Sequence, residues 1–142
     1  MKTIVVGYDD TEPSKRALER AAQIAEKFGS QVLVASVARL THSAPRSAAT
    51  GPPDPSETPA RHEEELDHAE QLLRERGINA ETVSAFGDPA STIARLAEER
   101  HADLVVVGTR ELGLAQRLLG QSVSQAVTRR THCDVLIVHP QH

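Results

Sequence analysis

The chain has 142 residues, a formal net charge of -4, one tyrosine, two phenylalanines and no tryptophan. That length fits one domain, residues 1–142, with its own apolar core, while the acidic balance and scarce rings exclude a nucleic-acid polymer or an anionic membrane surface as the favoured partner. A single cysteine, Cys133, excludes an intrachain disulfide and a Cys-rich zinc site. No apolar run is long enough to span a bilayer and Met1-Lys2 leads straight into a strand-like run, so a cytoplasmic location is expected.

In chain order, Thr3-Ile4-Val5-Val6 opens as a continuous β-branched run, the pattern of a strand buried on both faces. From Ser14 to Phe28, Ala17, Leu18, Ala21, Ile24, Ala25 and Phe28 recur at helical spacing, with Thr11 or Asp10 as N-cap and Gly29 as the stop. Val32-Leu33-Val34 is a second buried strand. The stretch from Leu40 to Pro59 holds five of the eight prolines and predicts a mobile surface loop, either disordered or lying over a site. A second helix runs from about Ala60 to Arg76 on Leu66, Ala69 and Leu73, with Glu63, Glu64 and Glu65 loading its first turns and Gly77 ending it.

Thr82-Val83-Ser84-Ala85 is a more polar strand, as expected nearer a sheet edge. Asp88-Pro89 then supplies a cap and an N1 proline for a helix reaching about Arg100, with Ile93, Leu96 and Ala97 inward. Leu104-Val105-Val106-Val107 and Val135-Leu136-Ile137-Val138 are two further buried strands. Between them a helix follows Ser122, with Val123, Ala126 and Val127 inward and Arg129-Arg130 complementing its C-terminus. Strict alternation of strand and helix predicts a parallel α/β sheet covered on both faces, with ligands bound beyond the carboxyl ends of the strands. Function is therefore expected at Tyr8-Asp9-Asp10 and at Gly108-Thr109.

The segment from Gly108 to Ser124 sets glycines at a strand end and hydroxyls at a helix start, where free backbone N–H groups receive anions. Gly108 and Gly113 have P-loop spacing, but Leu114-Ala115 stands where a phosphate-binding Lys and a Mg²⁺-ligating hydroxyl are needed. The dinucleotide fingerprint is absent as well, since the first strand leads into Tyr8-Asp9-Asp10-Thr11. None of the seven histidines pairs with another on a helix face beside a carboxylate, so no metal site is expected. Cys133 reads as a packed thiol, and the lack of a Gly-x-Ser-x-Gly elbow leaves no hydrolase nucleophile.

Four segments together resemble the universal stress protein family: Val6-Gly7-Tyr8-Asp9-Asp10-Thr11 with Ser14, Gly87-Asp88-Pro89-Ala90, Ala102 to Arg110, and Ser122-Val123-Ser124 through His132-Cys133-Asp134 to Val138. The resemblance spans the whole chain. It implies a three-layer, Rossmann-like sandwich of the adenine nucleotide alpha hydrolase type, with a five-stranded parallel sheet in the order 3-2-1-4-5. It also implies a homodimer through Val135, Leu136, Ile137 and Val138, and a stress-response regulator that, in one branch, holds ATP (with Mg²⁺) or AMP.

That branch resembles a nucleotide binder through Gly-x₂-Gly-x₉-Gly-Ser/Thr. Here Gly108 and Ser122 match, Glu111 and Gln121 replace the second and third glycines, and Gly113 and Gly120 match only after a loop shift. Carried over by position, Asp9 meets the adenine or ribose, the Val37 backbone the base edge, Val107 and Gly108 the ribose and α-phosphate, and Ser122 and Val123 the phosphates. Tyr8, Thr109 and Arg110 complete the lining, with Arg110 and Arg117 able to screen Glu111. For Asp9 and Asp10 the competing reading is a pair of capping acids at a strand-to-helix turn.

A phosphorylated receiver domain fails because no aspartate ends the third strand and His139-Pro140 follows the last strand where a lysine is required. A flavin carrier lacks a phosphate loop after the first strand. The expectation is nucleotide binding with no catalytic residue and at most weak ATP hydrolysis. The alternative is a dimeric protein-interaction module that binds no nucleotide.

Overall fold

The computed structural model describes residues 1–38, 59–109 and 123–140, with backbone alone for 59–62 and 123. Five strands, β1 (Thr3–Gly7), β2 (Gln31–Ala38), β3 (Ala80–Phe86), β4 (Leu104–Gly108) and β5 (Asp134–Val138), alternate with helices α1 (Glu12–Phe28), α2 (Pro59–Glu75), α3 (Pro89–Glu99) and α4 (Val123–Arg130). All strand pairs are parallel and the order is β3-β2-β1-β4-β5, the Rossmann-like α/β sandwich expected. The expected Pro-rich loop lies outside the described residues, except that Pro59 opens α2.

Side chains leave a strand on alternate faces, and because helices cover both, both sets are apolar. Ile4, Val6, Val32, Val34 and Val106 point to one face, where Ala17, Leu18, Ala21 and Ala25 of α1 and Leu66, Ala69 and Leu73 of α2 close over them. Val5, Leu33, Val105 and Val107 point to the other, against Ala90, Ile93, Leu96 and Ala97 of α3 and Val127 of α4. Ile4, Val5 and Val6 are wholly buried, each contributing about 1.5–3 kcal/mol.

The helix ends follow their sequence signals. Thr11 caps α1 by accepting from the Ser14 N–H, and Gly29 closes it in the left-handed region at φ 66°. Asp88 caps α3 by accepting from the Ser91 N–H at 2.9 Å, with Pro89 at N1. Gly77, at φ 74°, follows α2.

Two expectations are corrected. Phe28, expected inward, is 63% exposed. Phe28 is the last residue of α1, directly before the Gly29 cap, so no further turn of helix covers it. Glu63 to Glu65 fall beyond the first turn of α2, which starts at Pro59 and holds no acid there. Val127 is fully buried and Ala126 packs half-buried against the same layer, both inward as expected. Among the described residues, no helix is long and apolar enough to cross a membrane.

Candidate functional site

The sheet opens where its winding reverses. β1 and β4 are in register at Ile4 with Leu104, Val5 with Val105 and Val6 with Val106. Beyond that point each continues with its outer neighbour instead. Gly7 pairs with Ala35 and the Tyr8 N–H donates to the Ala35 carbonyl, while Val107 and Gly108 pair with Ile137 and Val138 and the Thr109 N–H donates to the Val138 carbonyl. Two lips therefore form, one ending in Tyr8-Asp9-Asp10 and the other in Gly108-Thr109. This is the position at which doubly wound sheets bind ligands.

A glycine stands on each lip for a steric reason. A Cβ on Gly7 would sit 3.0 Å from Ile93 Cδ1 and 3.3 Å from Val107 Cγ1. At Gly108 the clash would be with backbone, 2.3 Å from the Pro13 carbonyl oxygen, because the first turn of α1 rests on the tip of β4. The glycine that matches the family's nucleotide pattern thus also serves the fold.

The β1 lip is tightly bonded. The Asp9 N–H donates to Ser14 Oγ at 3.3 Å, Ser14 Oγ donates to the Thr11 carbonyl at 3.0 Å, and Asp9 Oδ1 accepts from both the N–H and the hydroxyl of Thr11. Asp10 sits in the left-handed region at φ 60° and accepts a 3.0 Å hydrogen bond from the Tyr8 hydroxyl; Lys15 Nζ lies 3.8 Å from the same oxygen. Burial is the main cause that makes the Tyr8 phenol harder to ionise, followed by the Asp10 hydrogen bond and the charges of Asp10 and Glu65.

Asp9, Val37, Gly108 and Thr109 lie at or near the strand tips, with Asp9 exposed and the other three half-buried. Tyr8 and Val107 are only 6% and 4% exposed, their side chains part of opposite core layers, so their share in a ligand site is through the main chain. Arg110, Gly113, Gly120 and Ser122 lie outside the described residues, and Val123 is described as the first residue of α4 by backbone alone. Neither acid caps α1, a place Thr11 takes; Asp9 instead bonds Thr11 within the turn, and Asp10 serves the turn through Tyr8 and Lys15.

Sequence reasoning gave no role to Pro13, Ser14 or Lys15, nor to Tyr8 as a donor to Asp10. For Ser14 a signal existed, a hydroxyl three residues past Thr11. Pro13 has none, since its effect depends on a strand 95 positions later.

Among the described residues, no group of three or more His, Cys, Asp or Glu side chains could hold a metal ion. Asp9 and Asp10 are both engaged in the turn, so no residue is assigned to Mg²⁺. Cys133 is half-buried against the α3/α4 layer and its thiol is pushed up chiefly by desolvation, which fits the packed role expected of it.

The model of the universal stress protein family matches residues 1–139. The universal stress protein Rv1636 of Mycobacterium tuberculosis is 39% identical over 97% of this chain and 96% of its own length. A crystal structure of a universal stress protein in complex with cAMP aligns at 33% identity with a TM-score of 0.75, covering 97% of this chain and 96% of that one. A family protein from Arabidopsis thaliana with AMP bound shares the fold at 18% identity, TM-score 0.70, over 99% and 93% of the two chains. Adenine nucleotides thus occupy this fold in other proteins. The split between β1 and β4, the glycine on each lip and the match along nearly the whole length lead to one assignment: the chain belongs to the universal stress protein family.

Proposed function

We propose that the crevice between the β1 and β4 tips binds an adenine nucleotide, AMP or ATP, as a regulatory ligand without useful turnover. The observation that carries this reading is the parting of the two strands beyond Val6 and Val106, with the Asp9 turn on one lip and Gly108-Thr109 on the other. The relative solved with cAMP, at 33% identity, supports an adenylate as the class of ligand. In this reading Asp9 holds the adenine or ribose, the Val37 backbone meets the base edge, and the main chain of Val107 and Gly108 lines the ribose and α-phosphate. Ser122 and Val123 donate to the phosphates, and Thr109, Arg110, Gly113 and Gly120 shape the loop between.

Glu111, which stands where the family pattern has its second glycine, would rank the ligands if its carboxylate faces the phosphates. A carboxylate about 4 Å from a phosphate oxygen costs roughly 4 kcal/mol at an effective dielectric of 20, and the penalty grows with phosphate charge. AMP is therefore favoured over ATP unless Mg²⁺ accompanies the latter. Hydrolysis needs a metal opposite the γ-phosphate and a positioned water, and proteins of this fold family are generally non-catalytic nucleotide-binding modules.

Mass analysis of nucleotide released on denaturing the purified protein, together with thermal shifts in AMP and ATP, tests the reading. AMP is expected to raise the melting temperature, Asp9→Ala to remove that rise, and Glu111→Gly to enlarge the rise produced by ATP. No released nucleotide and no shift with either ligand would sink it. The second reading is then a dimeric protein-interaction module, which the position of β5 at the sheet edge favours.

A further inference from the structure

Tyr8 is the chain's only tyrosine, and its buried hydroxyl is turned back to Asp10 two residues later, across Asp9. Asp10 holds a left-handed backbone at φ 60°, a conformation that disfavours a residue with a Cβ. It persists where local hydrogen bonds compensate, and aspartate and asparagine tolerate it best. The Tyr8 hydroxyl, itself fixed by the α1/α2 core layer, supplies one such bond, and Lys15 sits 3.8 Å from the same carboxylate oxygen.

We propose that Tyr8 and Asp10 are positioning residues of the candidate nucleotide site. Their side-chain hydrogen bond clamps the β1–α1 turn so that Asp9 is presented at the lip in one conformation. This rests on the nucleotide reading for its function but not for its geometry. The clamp acts by preorganisation: a turn already fixed loses little conformational freedom when a ligand arrives. The Tyr8 hydroxyl and Lys15 also draw the Asp10 charge toward the protein, which lowers its repulsion toward a phosphate. Neither side chain need touch the ligand.

The test pairs amide hydrogen exchange in the free protein with calorimetric titration of AMP, on wild type, Tyr8→Phe, Asp10→Gly, the double variant and Asp10→Asn. Tyr8→Phe keeps the ring and removes the donor; Asp10→Gly keeps the backbone conformation accessible and removes the acceptor. Each is expected to speed exchange of the Asp9 and Thr11 amides at least tenfold, with the β1 amides unchanged, and to weaken AMP three- to tenfold.

The double variant should be no weaker than the worse single one, because both remove the same bond. Asp10→Asn, which keeps an acceptor and tolerates the left-handed region, should return to within about twofold of wild type. If Asp9 and Thr11 exchange as in wild type in both single variants, whatever happens to the melting temperature, the clamp is overturned. If exchange quickens as expected but wild type binds no AMP, the nucleotide reading falls and the clamp stands. Additive losses in the double variant would overturn it by showing that the two residues act separately.

Discussion

At the scale of single residues, Gly108 carries two demands at once. The Pro13 carbonyl lies where a side chain would begin, so Gly108→Ala must push the first turn of α1 away from β4. Overpacking of this kind typically costs about 1–3 kcal/mol, to be read from urea denaturation. A loss near zero would mean that the helix start gives way freely.

Asp103 makes a second residue-scale prediction. It accepts from the N–H groups of Lys2 and Thr3 at 2.7 and 3.0 Å, and those bonds, first Thr3 and then Lys2, hold its carboxyl below the ordinary value of 3.8. A carboxylate depressed in the folded state stabilises above its unfolded pKa, and that contribution disappears as pH falls through the folded one. Glu81, held low mainly by hydrogen bonds from Arg100, follows the same sign. Asp103→Asn should therefore flatten the acid limb of a stability-against-pH curve and leave its slope near neutrality unchanged.

At the scale of elements, the caps are the most local features and were the most legible. Asp88 accepts from the Ser91 N–H and hydroxyl at the start of α3. Asp88→Ala should destabilise by about 1 kcal/mol in chemical denaturation, slightly more if the exposed Arg130 contact contributes. The five strands and four helices of the described residues could be placed from the residue pattern, and their ends shifted by only a few residues. What spacing could not give was which residues at a helix end stay covered. Phe28 fits the inward stripe of α1 by angle yet, as the last residue before the Gly29 cap, is exposed. The candidate site was half legible for a related reason. Asp9 and Gly108 announce themselves at strand ends, whereas the Pro13 contact and the Tyr8 to Asp10 bond exist only once distant segments pack.

At the scale of the whole molecule, β5 has β4 on one side and is the last strand of the sheet. Val135, Leu136 and Ile137 are half-buried there, packed partly against the two core layers. An apolar edge of this kind invites pairing with another strand, and a two-fold axis satisfies it with one self-complementary contact. A homodimer through β5 is the expected assembly. Light scattering should give twice the chain mass for wild type and the chain mass for Leu136→Lys or Ile137→Lys; a wild-type monomer at micromolar concentration would refute the assembly.

The chain carries no tryptophan and a lone phenol, which sits at the mouth of the crevice and donates a hydrogen bond to a neighbouring carboxylate. Its ultraviolet emission is therefore a label-free optical reporter of that turn. Any rearrangement of the mouth, from ligand, partner or mutation, would register there without dye or tag, together with any loosening of the α1/α2 core layer on which the ring rests.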